Sequence, residues 1–266
     1  MIIRKSTPKS KLKSFGRIAI TGASSGLGAA LAQHYAAPGV TLSLAGRSLP
    51  KLESVAKACQ VKGATVSIHN VDVRFPGTVQ EWLAGEAFDL VIANAGVSGG
   101  TANAGEESDT QRRLIFQTNV EGVLHTLHAA LPAMEAAGKG QLAIISSLAA
   151  FRGFAGAPAY CASKAAVKVY GEALRALYRY RGIGVTVVCP GYIKTPMTDA
   201  NDFTMPLMVS AEQAAAKIAH GLARNKALIA FPRRLYGVCW LLANLPAGLI
   251  DRLLARLPRK GALAEG

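Results

Sequence analysis

Tyr160 and Lys164, four positions apart in the sequence, are residues that could carry acid–base chemistry. On a helix, side chains at this spacing lie on one face and can meet. A phenol titrates near pH ~10, and an ammonium beside it favours the phenolate and lowers its pKa. Ser147, which follows a predicted buried strand, could hold a carbonyl or alcohol oxygen next to the phenol. The three side chains could together exchange a proton with such an oxygen, although a Tyr-x-x-x-Lys pair also occurs by chance on helix surfaces.

A glycine-rich turn near the start of the chain predicts a dinucleotide site. An apolar strand at 17–20 leads into the turn at 21–28, and a helical pattern follows to residue 36. Glycine lets backbone N–H groups approach a pyrophosphate, and the helix N-terminus adds partial positive charge. The residues expected to contact the cofactor here are Gly22, Ser24, Ser25, Gly26, Leu27 and Gly28.

The end of the second predicted strand, at 40–45, indicates which dinucleotide binds. In dinucleotide-binding folds an acidic residue near this point holds the ribose 2′-OH, whereas an arginine accommodates a 2′-phosphate. Gly46 and Arg47 stand here, and no acid does. The sequence therefore favours NADP(H) over NAD(H). The alternative is that Arg47 is an ordinary solvated residue at the start of a helix.

Later strand ends supply the remaining candidates. Asp72 could hydrogen-bond to the adenine amine or serve as a turn residue, and the small residues of Asn94-Ala95-Gly96 would let a cofactor lie close to the chain. Asn119 falls inside a helix predicted over 109–137, where asparagine is unfavourable. It could bind water or backbone, or merely be exposed. The other positions expected at the cofactor are Val73, Pro190, Gly191, Ile193 and Thr195.

Strands and helices alternate along the chain, and each connection is long enough for a parallel crossover. The pattern predicts an α/β fold, a Rossmann-type doubly wound parallel sheet of about seven strands with helices on both faces. The ligand crevice of such a sheet lies at the carboxyl ends of its strands, where the motifs fall. Three parts are expected: a basic N-terminal tail at 1–15, a catalytic domain at 16–231 and an amphipathic basic C-terminal extension at 232–266.

The composition of the 266 residues narrows the functional classes. The net charge of +14 lies mainly in the two tails. No base-reading or stacking residues are organised with it, so nucleic-acid binding is not expected. Four separated cysteines suit neither a disulfide framework nor zinc, and they fit a reducing cytoplasm. The N-terminus lacks the apolar stretch of a secretory signal, so we expect a cytoplasmic protein.

The C-terminal extension leaves three interpretations open. Residues 235–250 carry no charge, but glycine, proline and asparagine interrupt them, and a membrane span takes ~20 apolar residues. The basic residues after them alternate with leucines, a pattern typical of a helix that lies peripherally in a membrane interface. The same pattern would suit a flap over an apolar pocket or a subunit contact.

The substrate pocket is expected to form from the segments 97–109, 148–157 and 196–209, together with Tyr192. Its apolar side chains predict an apolar carbonyl or alcohol, such as an acyl, steroid-like or other lipid compound, unless they pack against the tail. These side chains are Phe151, Phe154, Met197, Phe203, Met205, Leu207 and Met208.

Taken in order, the motifs resemble those of the short-chain dehydrogenase/reductase family over about residues 15–231. They are TGASSGLG at 21–28, NAG at 94–96, Asn119, Ser147, YCASK at 160–164 and PGYIKT at 190–195. The resemblance implies that Tyr160 is the general acid in reduction and the general base in oxidation. Lys164 would lower the pKa of Tyr160 and bind the nicotinamide ribose. Ser147 would position the substrate oxygen, Asn119 would hold a water of a proton relay, and Thr195 would contact the nicotinamide carboxamide.

The resemblance thus implies an oxidoreductase that interconverts a carbonyl and a secondary alcohol, with hydride supplied by the cofactor. It requires no metal, and His125 and His128 are expected at the surface. It also implies a homodimer or homotetramer built on the helical regions 109–137 and 158–181. The alternative function is a dinucleotide-binding redox sensor or scaffold without significant turnover. The complete set of Asn119, Ser147, Tyr160 and Lys164 argues against it.

Overall fold

The fold is taken from a computed structural model of the chain. It describes residues 13–101, 105–199, 201, 203–246, 248–249 and 260–262. Most of the basic N-terminal tail and the arginine–leucine pattern of the C-terminal extension therefore lie outside the described residues.

Seven parallel strands form one sheet, as the sequence predicts. Their order across the sheet is β3-β2-β1-β4-β5-β6-β7. The strands are β1 (Arg17–Thr21), β2 (Thr41–Gly46), β3 (Thr65–Asn70), β4 (Leu90–Ala93), β5 (Gly140–Ile145), β6 (Ile183–Pro190) and β7 (Leu228–Phe231). The chain changes direction across the sheet between β1 and β4, and the carboxyl ends of these strands flank the crevice where doubly wound folds bind ligands.

Helices cover both faces of the sheet. They are α1 (Gly26–Tyr35), α2 (Leu49–Val61), α3 (Pro76–Leu83), α4 (Asp109–Phe116), α5 (Gly122–Ala137), α6 (Pro158–Tyr178), α7 (Pro196–Asp199), α8 (Ala211–Ala223) and α9 (Arg233–Asn244). Successive residues of a strand point to opposite faces. Accordingly, Ile18 and Ile20 of β1 pack in the core beneath α1, α2 and α8, whereas Ala19 packs in the core beneath α3, α5 and α6.

The helix predicted over 109–137 is divided by a π turn. Ser108 caps its first part, where its hydroxyl accepts a hydrogen bond from the Gln111 amide at 3.1 Å. The π turn spans Gln117–Glu121 and contains Asn119. Such turns insert one extra residue into a helix and often occur at functional sites. The helical region predicted over 109–137 is thus confirmed, and the π turn, which the sequence did not predict, falls at its unusual asparagine.

The described part of the C-terminal extension is largely the helix α9, which packs beside the last strands. Tyr236 stacks edge-on against Phe151, with ring centres 5.4 Å apart, and Cys239 is buried against Leu148. None of the helices in the described residues combines the length and apolarity that a membrane span requires.

Candidate active site

A cavity of about 820 Å³ lies at the carboxyl ends of the strands, within the size range of ligand pockets in proteins. Every position expected at the cofactor lines it except Gly28, which packs beneath it. Ser147 also lines the cavity, whereas Asn119 supports it from below. The sequence motifs therefore meet at one place, as the fold predicted.

The glycine turn is built so closely that side chains would not fit. A Cβ added at Gly28 would lie 2.2 Å from the carbonyl oxygen of Gly22, and one added at Gly22 would lie 2.8 Å from the Cα of Ala95. Gly22 and Gly26 also have positive φ, at 63° and 53°, which favours glycine. Asn94 fixes the turn from β4, because its amide donates to the carbonyl oxygens of Thr21 and Gly22 at 3.0 and 3.1 Å. The result is a cradle suited to a dinucleotide pyrophosphate.

The far end of the cavity is basic. Arg47 lines it after β2, and Lys51, which sequence analysis missed, lines it from the first turn of α2. Asp72 lies opposite, and both of its carboxylate oxygens accept hydrogen bonds from Arg74. Burial acts to raise the pKa of Asp72, but the hydrogen bonds from Arg74 hold this pKa below its usual value. The adenine contact of Asp72 stays a prediction, since Arg74 already occupies part of the carboxylate.

Tyr160, Ser147 and Lys164 come together at the other end of the cavity. Tyr160 and Ser147 both line the cavity, and the Ser147 side chain is close enough to the phenol to act on its pKa. Lys164 is buried, its ammonium donates to the Ile145 carbonyl oxygen at 3.0 Å, and it lies 5.9 Å from the centre of the Tyr160 ring. Ser146, the neighbour of Ser147, instead donates to the backbone oxygen of Lys164 at 2.7 Å. The hydroxyl of Ser146 is thus engaged with the backbone of α6, and Ser147 is the serine that acts on Tyr160.

The pKa of Tyr160 differs from the sequence-based expectation. Burial raises it to about 12, although the hydrogen bond with Ser147 acts to lower it. Burial also lowers the pKa of Lys164 to about 8, because the charged form loses its hydration. In the protein alone, desolvation therefore outweighs the effect of Ser147 on the phenol, and the prediction of a lowered tyrosine pKa was wrong. At neutral pH the phenol keeps its proton.

Asn119 of the π turn is fully buried and holds the loop after β4. Its side-chain oxygen accepts from the Val97 amide at 2.8 Å, and its amide donates to the Val97 carbonyl oxygen at 2.9 Å and to the Ser163 hydroxyl at 3.1 Å. A Cβ at Gly96 would lie 3.1 Å from the Asn119 oxygen and 3.3 Å from the Lys164 nitrogen. The glycine of the NAG motif therefore allows Lys164 and Asn119 to approach each other.

The substrate end has an apolar wall that was predicted in part. Phe154, Met197, Phe203 and Tyr192 line the cavity, whereas Phe151, Met205, Leu207 and Met208 do not. Sequence analysis missed several lining residues, because they approach from elements whose packing faces could not be assigned. These residues are Thr118, Leu235, Val238, Leu242 and Lys260. Leu235, Val238 and Leu242 belong to α9, so this helix forms part of the cavity wall.

The histidines have structural partners. The Nδ1 atom of His125 lies 2.8 Å from the Val73 carbonyl oxygen, and the Nε2 atom of the exposed His128 lies 2.8 Å from the Tyr170 hydroxyl. Across the part of the chain that the structure describes, no three or more His, Cys, Asp or Glu side chains cluster so as to hold a metal ion.

Comparison with known proteins gives the family. The family model for short chain dehydrogenases matches residues 17–205, and the chain therefore belongs to the short chain dehydrogenase family. A protein of Myxococcus xanthus named as an uncharacterized oxidoreductase is 40% identical over 243 residues, which cover 90% of this chain and 96% of that protein. The chain is thus an NAD(P)-dependent oxidoreductase of the kind that acts on CH–OH and C=O groups.

Solved structures of related fold contain either nicotinamide dinucleotide. A short-chain dehydrogenase from Sphingobium yanoikuyae in complex with NADPH has a TM-score of 0.78 at 23% identity, covering 93% of this chain and 98% of that one. A short chain dehydrogenase from Mycobacterium paratuberculosis bound to NAD has a TM-score of 0.74 at 23% identity, covering 86% and 100%. At this identity the likeness establishes the fold alone.

Proposed function

We propose that the protein is an NADP(H)-dependent carbonyl reductase or alcohol dehydrogenase in which Tyr160 is the acid and base. The observation that carries this proposal is the meeting of Tyr160, Ser147 and the buried Lys164 at one end of a cavity whose other end is the glycine cradle. The shape of the glycine cradle suits a dinucleotide, and it depends on glycine because side chains at Gly22 and Gly28 would collide with the backbone of the turn and of Ala95.

The cofactor, when bound, supplies the hydride. Ser147 holds the substrate oxygen at the phenol of Tyr160, and the phenol donates its proton to that oxygen as the alcohol forms. A pKa raised by burial to about 12 keeps this proton on the phenol at neutral pH, so Tyr160 enters the reduction as the proton donor. Lys164 binds the cofactor ribose and returns a proton towards Tyr160, and Asn119 positions the water that connects Lys164 with solvent.

The direct test is consumption of NADPH by the purified full chain against a panel of carbonyl compounds. We expect Tyr160→Phe to lower kcat/KM by about a hundredfold or more, because it removes the proton donor. Tyr180→Phe, at a phenol that is 88% exposed, is the matched control and should leave activity unchanged. Equal turnover by Tyr160→Phe and wild type would contradict the mechanism. Cofactor binding without turnover of any substrate would favour the redox sensor or scaffold instead.

The preference for NADP(H) over NAD(H) is proposed from the charge at the far end of the cavity. Arg47 and Lys51 line this end, which supports binding of a negatively charged 2′-phosphate, and the nearby Asp72 is already paired with Arg74. Arg47→Ala should weaken NADPH binding about tenfold or more and NADH binding little, since a charge-assisted hydrogen bond contributes roughly 1.5–3 kcal/mol. Equal effects on the two cofactors, measured by fluorescence titration, would remove this assignment.

The subunit contact is proposed to use the helical regions 109–137 and 158–181. Val169 and Leu177 of α6 are 61% and 58% exposed, and a subunit contact on this helix would bury them, which supports a homodimer or homotetramer. Light scattering on the wild type and on Val169→Glu tests this. A wild-type monomer would contradict it.

Peripheral membrane contact by a cytoplasmic protein is proposed from the outer side of α9. Trp240 and Leu241 are exposed there, and the exposed Arg233 and Arg234 begin the helix. This combination suits an anionic membrane surface, and the division into parts 1–15, 16–231 and 232–266 is kept as part of the proposal. Sedimentation with anionic vesicles is the test, with Trp240→Ser as the variant. No binding by the wild type would contradict the contact.

A further inference from the structure

The described residues 260–262 lie across the substrate end of the cavity, between two loops. The Gly100 amide donates to the Gly261 carbonyl oxygen at 2.8 Å, and the Lys260 amide donates to the Gly156 carbonyl oxygen at 3.3 Å. A Cβ at Gly100 would lie 2.6 Å from the Cβ of Lys260, so the glycine makes room for this segment. Backbone contacts to both loops therefore fix where the Lys260 side chain begins.

The Lys260 side chain points into the cavity beside the catalytic tyrosine. Its Nζ atom lies 2.6 Å from the Ser98 hydroxyl oxygen and 5.6 Å from the centre of the Tyr160 ring. Its neighbours Ser98, Gly100 and Gly156 all lie outside the glycine cradle at 21–28. The ammonium thus belongs to the substrate end of the cavity rather than to the pyrophosphate end.

This ammonium is partly buried, and no acidic side chain among the described residues forms an ion pair with it. Burial lowers the pKa of Lys260 to about 8. Glu107, a buried carboxylate in the same region, instead accepts a hydrogen bond from the Ala159 amide at 2.9 Å. A charge taken out of water without a counter-ion is costly, and an anionic ligand would offset that cost.

We propose that Lys260 and Ser98 bind a carboxylate of the substrate, so that the enzyme acts on oxo acids or the corresponding hydroxy acids with an apolar remainder. This inference rests on the proposed reduction at Tyr160. When the ammonium donates to the Ser98 oxygen, the Ser98 hydroxyl proton stays available, and two donors then face the two oxygens of a carboxylate. The apolar remainder would lie against Phe154, Leu235 and Leu242, which line the same cavity.

The test compares matched substrates on the full chain with NADPH. Phenylpyruvate and benzoylpropionate are measured beside their methyl esters and phosphonate analogues, so that only the charged group differs. We expect wild type to prefer the acid over its ester by roughly tenfold to a hundredfold in kcat/KM, the range for a charge-assisted hydrogen bond. Lys260→Met should abolish that ratio, Lys260→Arg should restore part of it, and Lys217→Met, at an exposed lysine of α8, should leave it unchanged.

Several outcomes would overturn the inference. One is a ratio of kcat/KM between acid and ester that is the same in Lys260→Met and wild type. Another is a preference of the wild type for esters or phosphonates over carboxylic acids. The third is a loss of NADPH affinity in Lys260→Met that is as large as the loss of affinity for the acid. Reduction of neutral ketones without preference for acids would leave the proposed function standing and remove the carboxylate site.

A second measurement covers the opposite case. Binding of benzoylpropionate to Tyr160→Phe with NADPH, followed by calorimetry, should weaken by the same factor when Lys260→Met is added. If binding depends on Lys260 but no ketone is reduced by wild type, the carboxylate site is supported and the proposed function fails. If binding does not depend on Lys260, the carboxylate site is refuted whatever the activity.

Discussion

Replacing Lys164 with methionine should make the cofactor-free protein more stable while it abolishes activity. Lys164 is 4% exposed, and its ammonium donates to the Ile145 carbonyl oxygen but forms no ion pair within the described residues. Holding a charge there is unfavourable, and methionine has a similar length without the charge. The lysine is therefore retained for chemistry at the expense of stability.

The magnitude follows from the pKa. Burial lowers the pKa of Lys164 from the usual 10.5 to about 8, which corresponds to roughly 3 kcal/mol against the charged form. Methionine removes this cost of the buried charge. It also leaves the Ile145 carbonyl oxygen without its hydrogen-bond donor, a loss of about 1 kcal/mol. We expect Lys164→Met to raise the free energy of unfolding by roughly 2 kcal/mol at about pH 7.

The gain should depend on pH in a definite direction. Because the pKa of Lys164 is lower in the folded than in the unfolded chain, the unfolded chain binds more protons between pH about 8 and 10.5. The free energy of unfolding of the wild type therefore rises with pH through this range, whereas Lys164→Met lacks this contribution from the lysine. The advantage of the variant should shrink by about 2 kcal/mol between about pH 7 and about pH 9.5.

Urea unfolding followed by circular dichroism at the two pH values is the assay, with Lys217→Met as the exposed control. The control should change the free energy of unfolding by less than about 0.5 kcal/mol. A variant less stable than wild type at about pH 7, or an advantage that is the same at both pH values, would refute the reasoning.

Two further substitutions test how the site is held. Asn119→Ala removes three hydrogen bonds, including both bonds to the Val97 backbone. It should lower the free energy of unfolding by roughly 3 kcal/mol. A loss below about 1 kcal/mol in chemical denaturation would contradict these contacts. Gly28→Ala places a Cβ 2.2 Å from the Gly22 oxygen and should lower NADPH affinity at least about tenfold, whereas Gly77→Ala, with open space around its Cβ, should not. Equal NADPH affinity in the two alanine variants, measured by calorimetry, would count against the cradle.

The sheet and the cofactor cradle were predictable because their signals are local. Parallel strands buried on both faces appear as short apolar runs, such as residues 17–20, and a glycine turn follows directly. The start of α8 has a signal of the same local kind, because the capping box of Ser210 and Gln213 is formed by residues three apart in the sequence. The four-residue spacing of Tyr160 and Lys164 likewise fixed their common helix face.

The remaining features depend on contacts between distant segments. The pKa of Tyr160 was mispredicted because the degree of burial is a property of the packed cavity and not of the residue spacing. The position of Lys260 depends on backbone bonds to the loops at Gly100 and Gly156, which no periodicity in the tail reveals. The uncharged stretch that contains α9 did not show that Leu235 and Leu242 would line the cavity.

The π turn at Gln117–Glu121 has a consequence for how this chain tolerates insertions and deletions. Because such a turn accommodates one extra residue, deleting a single residue within it would let α4 and α5 join as a regular helix with their core-facing sides retained. The same deletion would withdraw the Asn119 amide from Val97 and loosen the loop beside Lys164. A one-residue length change could thus separate the ability to fold from the ability to catalyse, which substitutions in the core would not do.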